Sequence, residues 1–289
     1  MLYLILPLLI VAVGVVFYFV RDGFNFDIEF MGGIRMQVDM QGDFDNQEVS
    51  KYLEEKTGIT PIIVQKTGTD GTKATIKTQP IEESKKNEIF SALKEKYALT
   101  AEAPMSVNSA SASFGAQVQK KALVYTLIAI LCILAYIAIR FEWRSAVMAV
   151  LSLALNILVM MAVYAIFYTP LNTTFIAAML TVIGYSINNT IVVFDRIREN
   201  MRGFNAKRSG TVSDVVNRSI TESLGRTINT TITTLITIVL LYIIGVPAIK
   251  EFAFPLIIGV VAGAYSSIFI ASPFWAAWKE ADIEAKKQK

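Results

Sequence analysis

The chain has 289 residues, of which 54% are hydrophobic, with a mean hydropathy of +0.49 and a formal net charge of +3. A soluble protein of this size is seldom so apolar, and so small a charge gives no argument for a nucleic-acid partner. With no histidine and a single cysteine, Cys132, the chain lacks the commonest general base and metal ligand and cannot form an internal disulfide.

Six apolar blocks, roughly 2–20, 122–139, 146–168, 173–194, 227–248 and 252–277, approach the length of about 20 residues that crosses a bilayer. The expected fold is therefore an α-helical integral membrane protein with six transmembrane helices. Residues 1–20 form the first span, 21–120 a polar domain inserted between spans one and two, 121–278 the other five spans, and 279–289 a tail. The first block lacks a charged leader and a small-x-small cleavage site before Arg21, so it reads as a retained span.

Within 21–120 the pattern is legible element by element. GIRMQVDM (33–40) alternates as a strand, NQEVSKYLEEKTG (46–58) reads as a helix ending at Gly58, and PIIVQKTG (61–68) as a strand. Asp70-Gly71 predicts a turn, TKATIKT (72–78) its hairpin partner, IEESKKNEIFSALKEKY (81–97) a second amphipathic helix, and APMSVNSAS (103–111) a last strand. The order β-α-β-β-α-β predicts an α+β, ferredoxin-like domain, a fold that says little about function.

Lys and Arg set the orientation. Arg140 and Arg144 lie in the connection 140–145. Arg196, Arg198, Arg202, Lys207, Arg208, Arg218 and Arg226 lie in 195–226, and Lys279, Lys286, Lys287 and Lys289 in the tail. The connection 169–172 has none and 249–251 only Lys250. With six spans every basic segment falls on one side, so both termini are expected in the cytoplasm and 21–120 outside.

The fourth span, TVIGYSINNTIVVFDRIREN (181–200), places Tyr185, Ser186, Asn188 and Asn189 in an apolar helix that ends at Asp195 and Arg196. Unpartnered amides are costly in hydrocarbon. One amide is explained as glue between helices, whereas two beside a tyrosine favour a polar cavity. In the fifth span Arg226, Thr230, Thr233 and Thr237 share a stripe, widened by Asn229, Thr227, Thr231 and Thr234. Such a stripe suits a water-lined or partner-lined surface, although threonine can also satisfy itself on the i−4 carbonyl. In the sixth span Gly259 and Gly263 suit close helix packing, and Asn156 in the third suits an interhelical hydrogen bond. No span interior carries Asp, Glu or His on these boundaries, so a proton-coupled role would need a titratable group from another chain. No nucleophile motif, phosphate loop or cofactor motif appears, and an enzyme is not expected.

At these residues the chain resembles the SecF family of the bacterial protein-export apparatus. TVIGYSINNTIVVFDRIREN is similar to the family's fourth-span signature, SLGRTINTTITTL (223–235) to the segment opening its fifth span, and FNFDIEFMGGIRMQV (24–38) to its Gly-Gly motif. Around Gly32 and Gly33 the family form G-I-D-F-T-G-G stands here as Asp27-Ile28-Glu29-Phe30-Met31-Gly32-Gly33, with Glu29 for Asp. Where many members carry Asn-Asp, this chain has Asn188-Asn189. Asn189 can hydrogen-bond but not titrate, and Arg226 matches the family's important arginine. The resemblance implies a bacterial plasma-membrane subunit that pairs with SecD. The pair would have twelve spans in the manner of the resistance-nodulation-division transporters. It would associate with the SecYEG translocon and act on translocating polypeptide with the proton-motive force. Asn188, Asn189, Arg226, Tyr185, Asn229, Thr230 and Thr233 would then line the proton path or the junction with SecD. Two other classes share the span pattern: a half-transporter for small lipophilic molecules or lipids, and a purely structural subunit.

Overall fold

The computed structural model describes residues 2–67, 71–140, 142–202, 204 and 210–287. Asp70 of the expected turn, and Lys207, Arg208 and Lys289 of the basic segments, lie outside the described residues. The chain divides into two compact units, Met1–Asn25 with Val124–Lys289, and Phe26–Leu123.

The 26–123 unit holds a four-stranded antiparallel sheet, order β2-β3-β1-β4, built from β1 (Gly33–Asp39), β2 (Ile63–Thr67), β3 (Lys73–Thr78) and β4 (Ser106–Ala110). Two helices cover it, α3 (Asn46–Thr57) and α4 (Glu83–Tyr97), numbered after α1 (Ile5–Val20) and α2 (Ile28–Met31). Their apolar faces meet the sheet in one core that includes Val38, Val49, Leu53, Ile76, Ile89 and Leu93. Asp45 caps α3 by accepting from the N–H groups of Gln47 and Glu48, both at 2.9 Å, and Gly58 ends it in the left-handed conformation, φ 68°. Lys96 Nζ donates to Glu48 Oε1 at 2.8 Å, which ties α4 to α3 and raises the lysine above its ordinary range.

A buried acid organises the entry to this unit. Arg35 on β1 and Lys77 on β3 are register partners, and like charges set directly opposite repel. Asp27, fully buried, resolves the conflict: its Oδ2 lies 2.9 Å from Arg35 Nη1 and its Oδ1 3.1 Å from Lys77 Nζ. Asp27 also precedes the single turn α2, and its carbonyl oxygen accepts from the N–H groups of Phe30 and Met31. The chain then reaches β1 through Gly32 (φ 76°) and Gly33 (φ 133°), and a Cβ on Gly33 would collide with the carbonyl of Thr78. The glycine pair is thus set by backbone geometry.

The other unit is a helical bundle. Among the described residues five helices are long and apolar enough to cross a membrane: Gln119–Arg140, Trp143–Phe167, Thr173–Met201, Val212–Ile244 and Pro247–Ala285. The first of these belongs to α5 (Ala112–Arg140), and the next three are α6 (Trp143–Phe167), α7 (Thr173–Met201) and α8 (Val212–Ile244). The last joins α9 (Pro247–Ser266), a π turn over Ser267–Ala271, and α10 (Ser272–Lys287). The first apolar block forms the shorter α1, 16 residues after a 3₁₀ turn at Leu2–Leu4. Gly14 lets α1 approach α6 closely, because a Cβ there would fall on Ala162.

Several boundaries depart from the hydropathy blocks. The segment 195–226, expected as a connection, is mostly helix: α7 continues to Met201 and α8 begins at Val212. The start of α8 is fixed by a capping box. Thr211 Oγ1 accepts from the Asp214 N–H at 3.1 Å, and the Asp214 carboxylate accepts from the Thr211 N–H at 2.9 Å. At the far end α8 stops at Ile244, and α9 starts at Pro247 rather than near 252. Glu251, expected in a connection, therefore lies within α9. Hydropathy marks where apolar side chains end, whereas hydrogen bonds and caps mark where the helix ends.

Replacing Asp27 by Ala is expected to destabilise the protein by about 3–5 kcal/mol, because the buried Lys77 and the half-buried Arg35 lose their anion. Adding Lys77→Met in that background is expected to recover a measurable part of the loss. Denaturant unfolding followed through the sheet signal checks both.

Candidate functional site

The bundle is centred on Ser186 in α7. Its Oγ accepts from Asn156 Nδ2 of α6 at 2.7 Å, so Asn156 forms the interhelical bond expected of it. On the α9 side, a Cβ on Gly263 would lie 2.8 Å from the same Oγ, and one on Gly259 would collide with Val182. Small residues here bring backbones together where lipid offers no hydrophobic drive for helix association. The expected close packing at Gly259 and Gly263 is present, and its partner is α7.

The two asparagines part company. Successive residues on a helix differ by about 100°. Asn188 is exposed on the same side as Thr181 and Gly184, while Asn189 is 2% exposed. Among the described residues nothing pairs with Asn189 Nδ2. Tyr185 is half-buried and its hydroxyl reaches Thr231 Oγ1 of α8 at 3.5 Å.

α8 is divided in the same way. Ser219, Ser223, Thr227 and Thr231, four residues apart, are buried and form its inward stripe. Arg226, Asn229, Thr230, Thr233 and Thr237 are exposed. The exposed threonines donate back along their own helix: Thr230 to the Arg226 carbonyl at 2.9 Å, Thr233 to Asn229 at 3.0 Å and Thr237 to Thr233 at 3.2 Å. With those donors occupied, the outward face shows methyl groups and oxygen lone pairs, together with the Asn229 amide and the Arg226 guanidinium. Among the described residues Arg226 has no side-chain partner. Only 17% of the most apolar stretch of α8 is buried, against 44% in α6 and in α7, so one long side of α8 is not covered by the described residues.

At the polar ends of α7 and α8 a charge network closes the pair. Arg196 donates to Glu222 at 2.7 Å and to Glu199 at 2.6 Å, and Arg218 donates to Glu222 at 2.9 Å. Asn200 Nδ2 donates to Glu222 Oε2 at 2.8 Å and to Ser219 Oγ at 3.0 Å. Asp195 is exposed, 3.8 Å from Arg140. The structure thus brings Tyr185 and Arg196 to α8, buries Asn189 within the bundle, and leaves Asn188, Arg226, Asn229, Thr230 and Thr233 outward. Glu29, Gly32 and Gly33 belong to the 26–123 unit, Glu29 in the turn α2.

Sequence reasoning missed Asp27 as the counter-ion of Arg35 and Lys77. The signal available was an acid just before an apolar turn, with Arg35 the lone cation of one strand and, in another, Lys77 alternating with apolar residues. It also missed Asn172, which caps α7 by accepting from the Phe175 N–H at 3.0 Å and donates to Glu251 Oε2 at 2.7 Å. Among the described residues no cluster of three or more cysteine or carboxylate side chains could hold a metal ion.

Residues 90–281 match the family described as protein export membrane protein SecD/SecF, C-terminal. The chain belongs to the SecD/SecF family. Among its SecF relatives, the protein translocase subunit SecF of Alicyclobacillus acidocaldarius is 35% identical over 277 residues, covering 95% of this chain and 89% of that one. The SecDF subunit of Bacillus subtilis is 31% identical, covering 90% of this chain and 35% of that one. The crystal structure of SecDF from Thermus thermophilus, a translocon-associated membrane protein, superposes with a TM-score of 0.82 at 30% identity. It covers 94% of this chain, which spans just over a third (37%) of that one. Within the SecD/SecF family this chain takes the SecF role in protein export, as a multi-pass membrane protein. These relatives, named as translocase subunits, give no support to the half-transporter reading.

Gly259→Ala is expected to destabilise the bundle by about 1–3 kcal/mol by overpacking Val182. Gly184→Ala, where a Cβ meets nothing within 4 Å, is expected to be neutral or slightly stabilising. Unfolding of both variants in the same mild detergent makes the comparison.

Proposed function

We propose that this chain is the SecF half of a proton-driven accessory to the export channel. It pairs with SecD, associates with SecYEG in the bacterial plasma membrane, and uses the proton-motive force to promote movement of the emerging polypeptide. The observation that carries this reading is the uncovered side of α8, with Arg226 and Asn229 on a helix otherwise suited to lipid. An amide facing hydrocarbon is costly and Arg226 stands at the polar end of the same face, so a polar partner surface is the favourable occupant. Relatives named SecDF are nearly three times as long as the segment they share with this chain, which supports a SecD half as that occupant.

In this reading both termini are cytoplasmic and there are six spans. The α1 helix with its preceding 3₁₀ turn reaches about 30 Å, enough for the hydrocarbon core. The 26–123 unit is an external ferredoxin-like domain, a reading supported by its element order and by the sheet order β2-β3-β1-β4. Arg226, Asn188 and Asn229 face a carboxylate on SecD. A nearby arginine favours the ionised acid while burial favours the neutral one, so protonation biases the pair between two arrangements. Asn189 acts from within this chain's own bundle, one helical turn from Tyr185.

Export of a secreted reporter in cells carrying Arg226→Ala is expected to fall about tenfold, the scale of one lost charge-assisted hydrogen bond. Asn188→Leu and Asn189→Leu are expected to fall less. Each is measured at matched expression, with SecD co-purification as a control. Full export by the Arg226 variant with SecD still bound would remove the arginine from the mechanism, and loss of SecD binding alone would favour a structural subunit.

A further inference from the structure

At the polar end of the bundle, between the ends of α5 and α7 and the start of α10, lies a cavity of about 390 Å³. Arg140, Arg198, Arg202 and Lys279 line it, with Glu142 as its single acid. Glu142 is already engaged, since Lys279 Nζ donates to both of its oxygens at 2.8 and 2.9 Å. The other acids close by are also taken: Asp195 lies 3.8 Å from Arg140 and Asp282 3.0 Å from Arg144. Arg198 donates to the Arg140 carbonyl at 3.2 Å, which ties α7 to the end of α5. Among the described residues nothing pairs with the Arg202 side chain. Counting Glu142 and Asp195 against the four cations, the site carries an excess of two positive charges in a partly enclosed space.

The remaining wall is apolar. Phe194, Ile197 and Trp275 line it, and Ile139, at 88% exposed, continues it outward along α5. Trp143 and Trp278 meet edge to face at 5.0 Å beside it, and tryptophans of this kind sit at the headgroup level of membranes. A free inorganic anion would use the cations and leave the apolar wall idle. A molecule with a phosphate joined to hydrocarbon uses both. The geometry points to a binding site for an anionic phospholipid, its phosphate among Arg198, Arg202 and Arg140 and its acyl chains along Ile139. This site is independent of pairing with SecD, and the failure of that reading would leave it standing.

The chain has three tryptophans, Trp143, Trp275 and Trp278, all at this end, so intrinsic fluorescence reports on the cavity. The full chain in mild detergent is titrated with acyl-brominated phosphatidylglycerol or with acyl-brominated phosphatidylcholine. The anionic lipid is expected to reach half-quenching at a concentration about fivefold lower for each arginine engaged. In the Arg198→Gln/Arg202→Gln variant, which keeps Arg140, the preference for the anionic lipid is expected to shrink to about fivefold. Inorganic phosphate in excess is expected not to restore the fluorescence. Equal quenching of the unmodified chain by both lipids overturns the proposal whether or not the variant folds. So does a preference left undiminished by the double substitution, and displacement by inorganic phosphate reassigns the cavity to a free anion.

Discussion

The bundle depends on how close α9 can come to α7 at Ser186. A side chain larger than hydrogen at Gly259 or Gly263 would hold the two helices apart, and the Asn156–Ser186 hydrogen bond then draws α6 to the same point. In lipid no solvent pushes these helices together, so packing and one buried amide must suffice. With α6, α7 and α9 locked in this way, α8 leans on them through a narrow file of serines and threonines at four-residue intervals. Its other side is left for something else. The outward arginine is thus a consequence of the small residues on the opposite face.

Charge is handled differently in the 26–123 unit. Two cations placed opposite one another across neighbouring strands would weaken the sheet, and Asp27 turns that liability into a clasp. The clasp and the glycine pair that follows it lie in one short stretch of chain. The motif there is therefore an arrangement for directing the chain into its first strand, with backbone torsions that only glycine adopts readily.

Much of this was legible beforehand. The strands and helices of 21–120 announced themselves through alternation, Gly58 and the amphipathic repeat of 81–97, because local patterning and the buried core agree. The apolar spans were equally plain. Helix ends were not, since Arg196, Glu199, Arg218 and Glu222 look like loop residues by hydropathy and yet stabilise helices by pairing with one another. The divergence of Asn188 from Asn189 follows from helical geometry alone. Which of the two faces inward depends on where α8 lies, and no local pattern in α7 carries that information. The same holds for Thr227 and Thr231, which join the outward stripe when the sequence is drawn on a wheel but belong to the inward file once neighbours are known.

The π turn at Ser267–Ala271 sets the phase of everything after it. Ser272 Oγ donates to the Ser267 carbonyl, five residues back, at 3.0 Å, so a side chain braces the widened turn. A π turn accommodates one residue more than the α-helix would hold. Deleting a single residue there would restore regular winding and swing α10 by about 100° around its axis. Trp275, which packs on Phe194 at 6.2 Å, would leave its neighbour, and Lys279 would turn away from Glu142. The extra residue is thus the setting that aims the C-terminal helix, much as a keyway fixes the angle of a shaft.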